Sequence, residues 1–507
     1  MKFIMKRIIT LLALLLSTVA IQAQDPNILW QRTIGGSGKE YLKSIEETSD
    51  GGMIIGGYSN SNISGDKSEN SRGANDYWIL KLDSSGNIVW QRTLGGDGED
   101  KLAAFHQTSD GGYIVGGYSD SGISGEKTES SRGFTDYWIL KLNSSGSIEW
   151  QKTIGGNEGD LLVEIHQTPD DKYILAGSSF SDISGDRTES RIANQDAWIL
   201  GLDSNGNILW QDAYGISNNG FRLYDFQLTS DSGYILGGTW GIDLAYYLKK
   251  VGLDNVWTTF AGNGAVNYLS MVRQTSDGGF IVNGTTDNQS QFNYYVWKLD
   301  SAGNTLWDRN IDGALFEMGT TVLGSTEGGS LVGGYSDSYI SGDKTENSQG
   351  LEDFWIVKLN NVGVIEWQNT IGGSDMDKLT CTNQNSDGTY IFGGNSSSNI
   401  SGDKTENSRG SNDFWVIKHA AILGLEENPF ATAITLYPNP TKNTLQLNTQ
   451  DKTINQVNIY TMTGSKVLQL DVETVSPTVD VSSLAAGVYY VQLYSGKNVA
   501  LKKFIKE

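Results

Sequence analysis

One cysteine, three histidines and six prolines are all that 507 residues hold of these types, and acidic residues outnumber basic ones 59 to 37. A lone Cys excludes a disulfide scaffold and a cysteine-built zinc site. Three His leave little room for histidine catalysis or a His-rich metal centre. A net charge of −22 argues against nucleic acid, whose phosphates need Lys and Arg. Long apolar runs are also lacking. The one candidate, residues 8–20, is shorter than the ~20 residues of a membrane span. Lys2, Lys6 and Arg7 precede it and Ile21-Gln22-Ala23 follows, which predicts a secretory signal over 1–23. No Cys stands at that cleavage point for lipid attachment, and the mature protein is expected to have no transmembrane segment.

Against these scarcities stand 62 Gly and 14 Trp. DYWILKLDSSGNIVWQRTLGG, around Trp78 and Trp90, returns around Trp138 and Trp150, and again in later copies. Trp30, Trp90, Trp150, Trp210, Trp257, Trp307 and Trp367 hold one repeat position, spaced by 60, 60, 60, 47, 50 and 60 residues. Trp78, Trp138, Trp198, Trp355 and Trp415 hold a second, with Tyr247 and Tyr295 in the shorter copies. Only Trp240 and Trp297 stand outside this scheme. Alternation within the second copy predicts strands over 102–108, 112–119, 136–143 and 147–154, joined by glycine turns.

Seven four-stranded units predict an all-β, seven-bladed β-propeller over 24–420. The chain enters on NILWQRTIGG, a fourth strand without a third, and leaves the repeats on DFWVIKHA, a third without a fourth. The N-terminal strand is therefore expected to close the last blade. The GGY of strand two followed by D-(aromatic)-W resembles kelch-type propellers. Y-W-x-x-K-L-D-x-x-G-x-x-x-W equally resembles tryptophan-docked quinoprotein-like propellers, with nothing to carry a quinone cofactor over.

Composition changes after Ala420. Pro429, Pro438, Pro440 and Pro477 gather there, and residues 431–507 carry seven Lys against five acids. A linker over 421–436 and a small Ig-like β-sandwich over 437–507 are expected. Pro438-Asn439-Pro440, the IYTMTGSKV hairpin, the LAAGVYY segment with Gly487 and Tyr489, and a lysine-rich end resemble the C-terminal sorting domain of type IX secretion. That resemblance implies passage across the outer membrane by the type IX machinery, to the cell surface or medium.

Five units insert a similar loop between strands two and three, at 64–73, 124–133, 184–193, 341–350 and 401–410; units four and five lack it. The decorated blades then form one arc, 6-7-1-2-3. Glu40, Asp100, Asp160, Glu317 and Asp377 stand ten residues after the fourth-strand Trp of these blades, where the bare ones have Gly220 and Asn267. Asp76, Asp136, Asp196, Asp353 and Asp413 begin strand three, against Ala245 and Asn293. Two readings stay open. The carboxylates line a ligand or Ca²⁺ site, or they accept backbone N–H bonds and fasten the loops. The loops themselves read as self-paired surface knuckles or as polar groups offered to a glycan.

His106 and His166 share a repeat position with Glu46, Gln227, Arg273, Gly324 and Asn383, and read as surface or packing residues. Cys381 reads as a buried small hydrophobe. No catalytic motif stands out. A non-catalytic exported propeller binding a glycan or protein is the leading expectation. A polysaccharide hydrolase or lyase, or a structural surface-layer component, are the alternatives.

Overall fold

A computed structural model describes residues 27–216, 220–240, 245–252, 256–261, 266–287, 291–324, 329–420, 434–449, 452–461, 466–495 and 498–507. The expected signal peptide and most of the expected linker lie outside them. The chain divides into two compact units, Met1–Ile422 and Leu423–Glu507.

In the first unit the alternating pattern becomes strands within two residues of expectation. The second copy forms Asp100–Gln107, Tyr113–Ser119, Asp136–Leu142 and Ile148–Ile154. Gly111 and Gly146 close its two hairpins at φ near +80°, where a Cβ would be strained. The described residues of this unit make seven four-stranded antiparallel sheets. The first strands touch one another in succession around the unit, and Asp377–Gln384 of the last blade returns to Glu40–Glu47 of the first. This is a closed propeller with the first strands innermost. Ile28–Ile34 pairs antiparallel with Asp413–His419, Gln31 opposite Ile417 and Thr33 opposite Trp415. The N-terminal strand thus completes the seventh blade.

The two tryptophan positions do different work. Trp78, Trp138, Trp198, Trp355 and Trp415 are buried completely. Each donates its indole N–H, over 2.9–3.1 Å, to the Gln that follows a fourth-strand Trp: Gln91, Gln151, Gln211, Gln368 and Gln31. Each Gln amide donates in turn to a carbonyl of the inserted loop, as Gln91 does to Asp66 at 2.7 Å. The recurring Trp-Gln pair is one hydrogen-bond relay from core to loop. In blade five Trp297 is the buried indole and donates to Thr305 at 3.0 Å.

The fourth-strand tryptophans pack outward. Trp30, Trp90, Trp150, Trp257 and Trp307 lie against the positive-φ turn glycines of the next blade, Gly86, Gly146, Gly206, Gly303 and Gly363. The sequence spacing of Trp and Gly is therefore a set of seams between blades.

The second unit holds two sheets. Thr435–Tyr437, Thr444–Asn448 and Thr478–Asp480 form one, and Thr453–Thr461, Lys466–Val475, Gly487–Ser495 and Asn498–Lys506 the other. Leu445, Leu447, Val457, Ile459, Val491, Leu493 and Phe504 fill its core.

Candidate functional site

All ten carboxylates singled out by the repeat are buried, each with 0% of its surface exposed. Asp100 accepts from the Gly96 N–H at 2.7 Å and the Ser121 hydroxyl at 2.8 Å. Asp377 repeats this with Gly373 at 2.7 Å and Ser398 at 2.8 Å. Glu40 is held by Gly36 at 3.0 Å and by Ser59 and Ser61. Asp160 takes Gly156, Ser179 and Ser181, and Glu317 takes Ser336 and Ser338. The strand-three set accepts loop N–H groups: Arg72 to Asp76 at 2.6 Å, Arg132 to Asp136, Ile192 to Asp196, Gln349 to Asp353, and Arg409 to Asp413.

The two sets meet across blade boundaries. Asp76 faces Asp100, Asp136 faces Asp160, Asp353 faces Asp377, and Asp413 faces Glu40. Within each decorated blade a loop cation lies between them. Lys67, Lys127, Arg187, Lys344 and Lys404 are 1–2% exposed and sit 5.2–5.8 Å from the rings of Trp78, Trp138, Trp198, Trp355 and Trp415. Arg187 also pairs with Asp196 at 3.1 Å. The result is a buried belt of alternating charge along the decorated arc. Burial pushes Glu40 and Asp353 up to about 7 and Asp76 and Asp136 up to about 6, while it lowers Lys67, Lys344 and Lys404 to about 8.

The loops pair with themselves in part, Arg72 with Glu69 at 3.6 Å and Arg409 with Glu406 at 3.8 Å, but the cation beside each indole is a core residue. Their glutamates cap fourth strands, Glu69 accepting from the Thr93 N–H and Glu129 from Thr153, both at 2.9 Å. The loops expose polar residues such as Ser68, Asn70 and Arg72, and an exposed isoleucine stands immediately before each loop. Ile63, Ile123, Ile183, Ile340 and Ile400 are 60–71% exposed.

The belt also explains a glycine. A Cβ on Gly95 would stand 1.8 Å from Asp76 Oδ1. Gly95→Ala should therefore cost about 2–3 kcal/mol in urea unfolding, the usual scale of overpacking. Gly122→Ala, whose Cβ would meet nothing nearer than 3.8 Å, should leave stability unchanged.

Register moves two assignments by one residue. Phe221, opposite Trp240, takes the place expected for Gly220, because the preceding loop is one residue longer. Leu323, opposite Leu331, stands where Gly324 was expected.

At the loop-face end of the innermost strands, cations and tyrosines converge. The Tyr41 and Tyr58 rings are 5.0 Å apart, and Lys43 and Lys101 each lie 5.8 Å from the Tyr58 ring. Arg222 stands 5.1 Å from Tyr224 and its charge reaches Tyr118. Lys378 stands 4.9 Å from Tyr335. Lys43 and Arg222 are exposed and the tyrosines half-buried. Desolvation by the surrounding protein atoms, with the Lys101 charge adding to it, depresses the Lys43 ammonium although its surface is exposed. The repeat analysis missed this group, because residues at its positions differ from blade to blade.

Further along the same strands four titratable side chains meet. His106 Nε2 is 3.2 Å from Glu164 Oε1 and its Nδ1 is 3.4 Å from Glu46 Oε2. The His166 ring stacks on His106 at 4.5 Å, and its Nε2 faces the Phe226 carbonyl at 3.3 Å. Burial opposes charge on His106, but the two glutamates outweigh it and lift the imidazole to about 10; burial, with the His106 charge, lowers His166 to about 4. These histidines pack ring on ring and against Phe226, and they meet the glutamates as well. Glu164, two positions before His166, carried no repeat signal. Cys381 is buried, its thiol pushed up to about 12 by its surroundings.

In the second unit Asn439 accepts from the Ile505 N–H at 2.9 Å, between Pro438 and Pro440, and Tyr489 donates to the Ala485 carbonyl at 3.0 Å, near Gly487. The proposed motif residues thus tie chain segments of this unit together.

Residues 435–507 match the family described as "Secretion system C-terminal sorting domain". The chain accordingly bears a type IX sorting domain and is exported to the cell surface or the extracellular space. The regulatory protein FlaEY of Caulobacter vibrioides is 22% identical over 157 residues, 29% of this chain and 16% of that protein. The chain thus spans about a sixth of the length of that curated relative. Solved structures with a similar fold include Sqt1 from Chaetomium thermophilum, 11% identical over 79% of this chain and 100% of that one, at a TM-score of 0.41. The Pan2 WD40 domain of Neurospora crassa is 9% identical over 77% and 97%, at 0.41. The polysaccharide lyase Uly1 is 9% identical over 80% and 94%, at 0.43. Among the described residues no helix is long and apolar enough to cross a membrane.

Proposed function

We propose that this type IX cargo is a non-catalytic binding propeller whose ligand is an acidic glycan, held at the loop-face end of the innermost strands. The observation that carries the reading is the convergence of Lys43, Lys101, Arg222 and Lys378 with Tyr41, Tyr58, Tyr118 and Tyr335 in a chain of net charge −22. Tyrosine faces suit sugar rings, and ammonium and guanidinium groups suit carboxylate or sulfate. Lys101 and Lys378 also pair with Glu99 at 3.0 Å and Glu352 at 3.1 Å, so Lys43 and Arg222 are the cations that would select acidic over neutral polymers.

The hydrolytic alternative needs two accessible carboxylates with separate roles, and the ten repeat carboxylates are all at 0% exposure. A protein partner draws support from the five exposed loop isoleucines, since exposed apolar side chains grouped on one face mark interaction surfaces.

Affinity electrophoresis against uronate-bearing, sulfated and neutral polysaccharides tests the reading. Acidic polymers should retard the protein, and Lys43→Glu or Tyr58→Ala should each weaken binding at least about tenfold. Equal retardation by neutral polymers would overturn the reading. Release of shortened or unsaturated products would show an enzyme instead.

A further inference from the structure

The first strands of blades one, two and three bring together Glu46, His106, Glu164 and His166, a group the binding role does not use. One ligand atom from each of His106, Glu164 and His166 lies within 4.8 Å of the others. We infer that these three residues bind a divalent transition metal, with zinc the best fit, in the centre of the propeller.

Metal binding turns on which nitrogen each imidazole presents to the group. His106 has Glu46 at 3.4 Å from Nδ1. Glu46 accepts the Nδ1–H, and a metal ion would take the place of the proton that Nε2 shares with Glu164 Oε1 at 3.2 Å. His166 Nε2 faces the Phe226 carbonyl at 3.3 Å. A carbonyl only accepts, so Nε2 carries the proton and Nδ1 keeps the lone pair. Each imidazole is thus fixed in the tautomer that offers one nitrogen, the arrangement by which outer carboxylates and carbonyls orient metal-binding histidines.

Size agrees. With bonds near 2.0–2.1 Å, ligand atoms around tetrahedral zinc are about 3.3 Å apart. The His106–Glu164 edge, at 3.2 Å, already has that length. Arg273, whose charge reaches Glu164 and His166, is itself paired to Asp225 at 2.7 Å. Two imidazoles and a carboxylate favour zinc or a neighbouring first-row ion over Ca²⁺ or Mg²⁺, which take oxygen ligands. Three protein ligands leave one position open to water.

The test is metal titration of the untagged full chain after chelator treatment. We expect one equivalent of Zn²⁺ to bind and survive dialysis, and Co²⁺ in its place to give visible absorption bands of nitrogen–oxygen coordination. His106→Ala and His166→Ala should each weaken binding at least about 100-fold, and Glu46→Gln about tenfold, as an orienting group does. Circular dichroism would confirm that each variant is folded. Absence of Co²⁺ bands in the unaltered protein would overturn the inference without any variant. So would zinc binding that persists in a folded His106→Ala/His166→Ala double variant.

Discussion

Removing residues 27–36 should destroy cooperative unfolding of the propeller. Those ten residues carry Ile28–Ile34, the strand that covers the edge of Asp413–His419. Without them Trp415 loses the Gln31 acceptor at 3.0 Å, and Glu406, which caps the Thr33 N–H at 2.8 Å, loses its donor. Trp30 no longer covers Gly86. Ring closure is lost along with these contacts, and an unpaired interior edge invites aggregation. We expect a broad, non-cooperative melt, proteolysis of blade seven, and association into oligomers. Placing the same ten residues after residue 420, behind a short glycine turn like those of the other blades, should restore a single sharp transition. Sharp melting of the deletion variant would show that six and three-quarter blades suffice.

The second large effect is a reversed pH dependence of stability. Four belt carboxylates have folded-state values raised to about 6 or 7, chiefly by burial. A carboxyl raised in the fold contributes stability that is complete below its unfolded value, near 4, and is lost as pH rises through 6 to 7. The lysines lowered to about 8 contribute stability above their unfolded value of 10.5, lost as pH falls through 8. Both groups therefore leave the fold weakest around pH 7–8. Asp50, Asp110 and Asp231 run the other way, lowered to about 2, and they protect the fold until pH falls below about 4. Thermal melts should peak between about pH 4 and 5 and fall by roughly 5 °C or more toward pH 7.5. Asp136→Asn should raise the melting temperature at pH 7.5 and flatten the slope. Blade five sets the precedent with Asn293, the second residue of its third strand and the counterpart of Asp136, which leads into the blade of Glu317. Asp50→Asn should instead lower it. A wild-type melting temperature that climbs steadily from pH 5 to 8 would refute this account.

Much of the propeller was legible in sequence because each blade copies the last. Trp90 and its equivalents fixed blade length, and the half-units at the two ends implied the seam now seen between Gln31 and Ile417. The carboxylate arc was legible as an arc. Its chemistry was not, because whether Asp100 faces solvent or Ser121 depends on how neighbouring blades abut. Lys67 illustrates the difficulty best. In sequence it belongs to a polar loop and reads as exposed. In the fold the loop turns it inward over Trp78, a contact set by packing and not by composition. The histidine group escaped for another reason. Periodicity aligns Glu46, His106 and His166 at one repeat position but does not show that they touch, and Glu164 lies off that position.

One detail of the seventh blade bears on how the protein withstands traction. The chain leaves the propeller from Asp413–His419, which is hydrogen-bonded on one side to Ile28–Ile34 and on the other to Tyr390–Ser396. An ordinary terminal strand sits at a sheet edge and can be peeled off one ladder at a time. Here a pull on the tail that follows enters an inner strand clamped by two ladders, and both must shear together before the blade opens. For a cargo that export machinery handles by its C-terminal end, the place where force enters is thus among the best braced in the ring.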